Sequence, residues 1–286
     1  MNLFSLEDLE KTELVDILDS ALSGDIPKAK SQGCVALLFF ENSTRTRLSF
    51  ERAAQTLARP YMNFDIDSSS LKKGESFEET LEVLEDYDIS TAVIRSAQRM
   101  FDPDSYVGNL NVISAGEGTF YHPTQAMGDV LALAKSWGMA SVSMLKGKTL
   151  LIFGDLRHSR VAHSWFEMAD LLGINLKLAS PQEWMPEWGA ELNRSSNLKE
   201  GLLGADAVMA LRVQTERHSG QGQGIASFEK SFQCTQDILA KRPLLHPGPT
   251  NWGVELAPEL KKYENSLIRS QRQECYRVRT GLLARF

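Results

Sequence analysis

Cysteine, histidine and long apolar runs are scarce in this sequence, and each scarcity removes a class of protein. The 286 residues include three cysteines, Cys34, Cys234 and Cys275, far apart and without a CxxC pair. A disulfide scaffold and a zinc ribbon are thereby excluded, and the thiols fit a reducing compartment. Among the five histidines, His158 and His163 sit close together, but no Cys or carboxylate completes a metal set around them. No metal and no organic cofactor is expected. No apolar run approaches the roughly 20 residues of a membrane span. Excess positive charge is missing too: 31 Lys and Arg against 37 Asp and Glu give a formal net charge of −6. That balance argues against general affinity for nucleic acid or acidic membranes, so any anion site must be built locally from a few placed cations. The opening "MNLFSLEDLEKTELVDILDSAL" reads as an amphipathic helix rather than a signal peptide, and a cytoplasmic protein is expected.

What is present is a core. With 42% hydrophobic and 24% charged residues the chain can bury a sizeable interior, enough for one large domain or two of about 140 residues each. The run "CVALLFF" (34–40) has strand length and suits a strand buried on both faces. Beyond it, Phe50, Ala53, Ala54 and Leu57 fall at helical spacing on one face. Strand-like segments recur at "TAVI" (91–94) and "LNVI" (110–113). A second series follows: "KGKTLLIFGDLRHSRVAHSWFEMADLLG" (146–173), then "INLKLAS", "ADAVMALR" and "RPLLHPGP". Strands alternating with helices imply parallel sheets joined by crossovers. The expected fold is α/β with two domains, each a parallel sheet flanked by helices. The boundary is placed at 130, in a helix spanning about 124–137, giving domains 1–130 and 131–286.

One junction carries chemistry. In "FFENSTRTRLSFE" (39–51), three hydroxyls and two arginines stand where a strand hands over to a helix. A helix N-terminus offers free N–H groups and partial positive charge, and so receives phosphate. Ser43, Thr44 and Thr46 add hydroxyl donors; Arg45 and Arg47 add planar forks that match oxyanions two at a time. "GDLRHS" occupies the place of a dinucleotide loop but lacks the second and third glycines of GxGxxG, which makes a nicotinamide enzyme a poor reading.

STRTR between a strand and "SFE" resembles the carbamoyl phosphate signature of the aspartate and ornithine carbamoyltransferases. The likeness continues in order through "SSSLKKGES" (68–76), "VIRS" (93–96), "HPTQ" (122–125), "GDLRHSRVAHS" (154–164), "LRVQTER" (211–217) and "HPGPTNWGVEL" (246–256). The Ser-Met-Gly loop and His-Cys-Leu-Pro segment of the ornithine branch are missing, while "RVQTER" and "HPGPTN" are similar to the aspartate branch. The resemblance implies carbamoyl transfer from carbamoyl phosphate to L-aspartate for pyrimidine synthesis, with the active site in a cleft between the two domains. It also implies a homotrimer with shared active sites, to which regulatory or dihydroorotase chains can be added, and a C-terminal helix that packs back on the first domain.

The same resemblance assigns residues. Ser43, Thr44, Arg45 and Thr46 would hold the phosphate. Arg95, His122 and Thr46 would contact the carbamoyl oxygen, making Arg45, Thr46, Arg95 and His122 the catalytic set. Gln125 and the backbone of Pro247 and Gly248 would lie near the carbamoyl amino group. Arg160, Arg212 and Gln214 would bind the carboxylates of aspartate. Ser69 and Lys73 would reach in from a neighbouring subunit, Lys73 toward both substrates. Glu41 and Arg217 look like members of ion pairs that hold the closed site. His158, His163, Trp184 and Trp188 are read as structural.

Departures from the family pattern are also visible. Asn42 stands where Pro or Ala is usual, Ser96 replaces a common His, and Ser114 and Glu117 replace Asn and Asp. Trp252 replaces an Arg, and Glu274 and Cys275 replace an Asn-Gly turn. Three other readings compete: a carbamoyltransferase of this fold for another acceptor, with Trp252 reshaping the pocket; a catalytically silent subunit; and a phosphate-binding sensor, which would not need Arg212 and Gln214. A silent chain sheds its charged ligands, because unpaired buried arginines are costly; Arg45, Arg95, Arg160 and Arg212 are all present.

Overall fold

Alternating strands and helices close into two five-stranded parallel sheets, each built within its own part of the chain. The structure, a computed structural model, describes residues 2–25, 28–64, 74–99, 108–214 and 228–286. Its contacts define a first unit of Met1–Leu131 with Arg272–Phe286 and a second of Ala132–Gln271.

The first unit holds β1 (Asn2–Leu3), β2 (Cys34–Phe39), β3 (Tyr61–Asn63), β4 (Ile89–Ser96) and β5 (Asn111–Glu117), in the order β1-β5-β4-β2-β3. Its helices are α1 (Lys11–Ser23), α2 (Thr44–Thr56) and α3 (Phe77–Asp86). Val35 through Leu38 of β2 are buried, as expected for a central strand covered on both faces. On α2 the residues spaced for one apolar face, Phe50, Ala53 and Ala54, are buried, together with Thr46. α4 (Pro123–Ser136) then leads the chain into the second unit.

That unit holds β6 (Thr149–Phe153), β7 (Asn175–Ala179), β8 (Asn193–Ser195), β9 (Ala207–Ala210) and β10 (Leu244–Leu245), in the order β10-β9-β6-β7-β8. α5 (Arg160–Leu172) follows β6. Trp184, Phe228 and Phe232 close one side of its core, with ring centroids 5.1 and 5.3 Å apart along the stack. A last helix, Ile268–Arg285, returns the chain to the first unit.

The opening residues depart from the expected helix. Asn2 and Leu3 pair in parallel with Val112 and Ile113 as an edge strand, and α1 begins only at Lys11. The cause is local: the Asp8 carboxylate accepts from the backbone N–H groups of Phe4 and Ser5 at 2.6 and 2.9 Å, turning the chain out of helical continuity. α3 was not anticipated, although its signal is in the sequence. Ser76 and Glu79 form a reciprocal capping box, the Ser76 side chain accepting from Glu79 N at 3.1 Å and Glu79 from Ser76 N at 2.7 Å.

None of the three thiols is in a disulfide. Burial raises Cys234 and Cys275 from the ordinary 9.0 to about 12. A raised thiol stays protonated, and unreactive, until the pH climbs past its folded value. Native protein at pH 8 is therefore expected to leave both unmodified by iodoacetamide, with alkylation appearing only on unfolding; peptide mass mapping checks this.

No helix among the described residues is long and apolar enough to cross a membrane, and no group of three His, Cys, Asp or Glu there is arranged to hold a metal ion.

Candidate active site

In open parallel sheets, ligands bind beyond the carboxyl ends of the strands where the strand order reverses. The first sheet reverses between β2 and β4, the second between β6 and β9. Residues 41–47 follow β2, Arg95 is next to last in β4, and His122 lies past β5. In the second unit, 154–160 follow β6, Arg212 and Gln214 follow β9, and Pro247 and Gly248 follow β10. Thus each sheet carries its own set of candidate residues beyond the carboxyl ends of its strands, at the switch point and beside it.

In the first unit Ser43 is the extended N-cap of α2, and Thr44 begins the helix. Thr46 is buried, Arg45 exposed. Arg95 is the hub. Its Nε meets Glu41 Oε1 at 2.7 Å, and its Nη1 donates to the Ala115 carbonyl at 2.9 Å and to His122 Nε2 at 3.2 Å. A guanidinium can only donate, so His122 Nε2 accepts and the ring proton sits on Nδ1. The Phe40 N–H donates to the Arg95 carbonyl at 2.8 Å, fixing the strand end from which this side chain projects. Glu41 therefore has Arg95 as its partner, which ties the segment before α2 to the HPTQ segment. Gln125 Nε2 donates to the buried Asp129 at 2.7 Å, which turns the amide oxygen away from that carboxylate. Arg47, half-exposed, stands 3.8 Å from Glu51 one helical turn on.

The second set is organised by a buried carboxylate. Asp155 Oδ1 is 2.9 Å from His158 Nδ1, and Oδ2 accepts from Gln214 N at 3.4 Å. Gln214 Nε2 donates to the His158 carbonyl at 3.0 Å, locking the loop after β6 against the loop after β9. Gly154 is required here: at φ +119° a Cβ would lie 2.4 Å from the Leu211 carbonyl. Ser159 caps α5 by accepting from Ala162 N at 3.2 Å, and half-buried Arg160 is the first residue of that helix. Arg212 is half-buried at the end of β9.

The HPGP loop is held from behind by His246. Gly248 N donates to His246 Nδ1 at 2.8 Å, so Nε2 carries the proton and donates to buried Glu255 at 3.1 Å. Asn251 Nδ2 reaches the Val213 carbonyl at 3.0 Å, joining this loop to the Arg212–Gln214 segment. Trp252 packs half-buried on the second core with the Lys261 ammonium 5.5 Å from its ring, so a cation is present at the face of the Trp that stands in the Arg's place. His163 stacks on Trp188 at 5.5 Å, a packing role for both.

Ser69, Lys73 and Arg217 lie outside the described residues. Sequence reasoning did not find Asp129, Asp155, Asn251, Glu255 or Arg279. Asp155 had a signal, an acid directly after the strand-ending glycine; Arg279 had none, because its partners are far away in the chain.

Two parallel-sheet units with arginines, hydroxyls and helix starts beyond their strand ends define the class as a two-unit α/β protein, and such groups at helix starts are suited to anions. The chain belongs to the aspartate/ornithine carbamoyltransferase family: the model of its carbamoyl phosphate-binding domain matches residues 1–135, and that of its Asp/Orn-binding domain residues 146–286. Among solved structures, Trypanosoma cruzi aspartate transcarbamoylase in complex with N-(phosphonacetyl)-L-aspartic acid matches with a TM-score of 0.83 and 23% identity, over 100% of this chain and 95% of that one. Ornithine carbamoyltransferase from Thermus thermophilus matches with a TM-score of 0.84 and 22% identity, over 99% and 97%. Identities this low establish the shared fold.

Proposed function

We propose that this carbamoyltransferase moves the carbamoyl group of carbamoyl phosphate to the amino group of L-aspartate, giving N-carbamoyl-L-aspartate and phosphate. The observation that carries the choice of acceptor is the Arg212–Gln214 segment. It is locked by Asp155 and Asn251, and it follows β9 at the same switch point at which Arg160 starts α5. Two guanidiniums and an amide suit a dicarboxylate; the cationic side chain of ornithine would be repelled by them. The Trypanosoma cruzi enzyme, whose fold this chain shares, has been solved with carbamoyl phosphate, which supports the donor assignment.

In the reaction the neutral amine attacks the carbamoyl carbon, an N–C bond forms, and the carbonyl oxygen becomes negative. Arg95, Thr46 and the Nδ1–H tautomer of His122 stabilise that oxygen. The C–O bond to phosphate then breaks, the phosphate leaves with the electron pair, and the amine proton passes to it. Arg45, Ser43, Thr44 and the N-terminus of α2 receive the phosphate charge. Gln125, through its amide oxygen, and the backbone of Pro247 and Gly248 orient the carbamoyl amino group. Arg160, Arg212 and Gln214 hold the carboxylates of aspartate. Ser69 and Lys73 complete the site from a neighbouring chain of a homotrimer, and the reaction serves pyrimidine synthesis in the cytoplasm.

The test offers aspartate, ornithine and other amino acids in parallel with carbamoyl phosphate to purified protein. Carbamoyl-aspartate is the expected product. Carbamoyl-ornithine, or product from another acceptor, overturns the acceptor half and keeps the donor half; no product with any acceptor points to a silent subunit.

A further inference from the structure

The Arg95 bridge ties the segment before α2 to His122 from one side. A second bridge runs behind it. Arg279, on the last helix, is 2% exposed, and it reaches both helices that begin at the donor half-site. Its Nε and Nη2 lie 3.3 and 3.4 Å from Thr124 Oγ1, in the first turn of α4. Its Nη1 donates to Ser49 Oγ on α2, and Ser49 Oγ in turn donates to the Thr46 carbonyl at 2.8 Å. The guanidinium lies 5.2 Å from the Phe50 ring centroid, so its plane is held by packing as well. Burial pushes the pKa of this guanidinium down, with Cys275 and Asp129 acting the other way; Asp129, also buried, accepts from Gln125.

We propose that Arg279 is a positioning residue for the donor half-site: it sets the spacing between the Arg45–Thr46 turn of α2 and the His122–Gln125 turn of α4. A single cation that donates to a hydroxyl on each helix holds both at once. Removing it lets the two sets of substrate-contacting groups drift apart, and displacements of about 1 Å in such sites cost up to about 100-fold. Lysine cannot replace it, because an ammonium offers no planar fork to span the two hydroxyls. The inference rests on the carbamoyl phosphate reading above.

Arg279→Lys, Ser49→Ala and Thr124→Val separate this role from a merely structural one. A fold defect lowers the active fraction and leaves KM unchanged; a positioning defect changes affinity in protein that is fully folded by circular dichroism. The expected result is a KM for carbamoyl phosphate, and an inhibition constant for inorganic phosphate, raised about tenfold in Arg279→Lys. Ser49→Ala with Thr124→Val, which removes both legs and keeps the buried cation, is expected to show the same shift if Arg279→Lys fails to fold. Unchanged constants in the folded Ser49→Ala/Thr124→Val protein overturn the inference. Failure of the unaltered protein to bind carbamoyl phosphate overturns the reading beneath it, and this inference with it.

Discussion

Arg45→Ala is expected to lower kcat by about 10²–10³-fold while changing folding stability by less than about 0.5 kcal/mol. The two halves of that expectation have separate causes. Arg45 is exposed, so truncation removes little from the fold. In the proposed reaction it meets the departing phosphate, where negative charge grows in the transition state. Its neighbour Arg47 is the control. The two are separated by about 200° around the helix and face opposite ways, and Arg47 faces Glu51. Arg47→Ala is expected to change kcat by no more than a few-fold. Steady-state kinetics with chemical denaturation on the same samples decide both; near-normal turnover in Arg45→Ala would remove the phosphate assignment.

The largest stability effect is expected at Gly128. Alanine in place of glycine inside a helix ordinarily stabilises by up to about 1 kcal/mol. Here the sign reverses. A Cβ at Gly128 would stand 2.3 Å from Cys275 Sγ and 2.8 Å from the Cα and N of Cys275. α4 and the last helix approach backbone to backbone at this point, and backbone atoms cannot step aside without moving a helix. Gly128→Ala is expected to destabilise the protein by about 3 kcal/mol, at the upper end for overpacking. Adding Cys275→Gly removes the Sγ clash and leaves the backbone one, so partial recovery is expected. The measurement is the urea midpoint of the single and double variants. A stabilised Gly128→Ala protein would show that the helices do not approach as closely as described.

This contact involves a residue at which the sequence departs from the family pattern. Cys275 stands where a small turn residue is usual, and Gly128, on the facing helix, supplies the space it needs. In sequence the two are far apart and neither is unusual alone. The last helix runs unbroken through Glu274 and Cys275, from Ile268 to Arg285.

Local pattern determined a good deal. The apolar run at 34–40, the helical spacing after Thr44 and the strand at 149–153 are legible because burial imposes period and hydrophobicity on neighbouring residues. The arginines and hydroxyls of the switch-point loops are legible for a related reason: anion chemistry needs those side chains next to a helix start, within a few residues of each other. The edge strand at Asn2–Leu3 was not, because two residues carry no period and their pairing is made with Val112 and Ile113. Only the tertiary structure decided that Arg95 joins Glu41 to His122, that Asp155 locks Gln214, and that Arg279 spans Ser49 and Thr124. Each of these groups is polar, wholly or partly buried, and bonded to partners remote in the chain. Such bonds follow from which helices and strands pack together, and no local stretch of sequence records that.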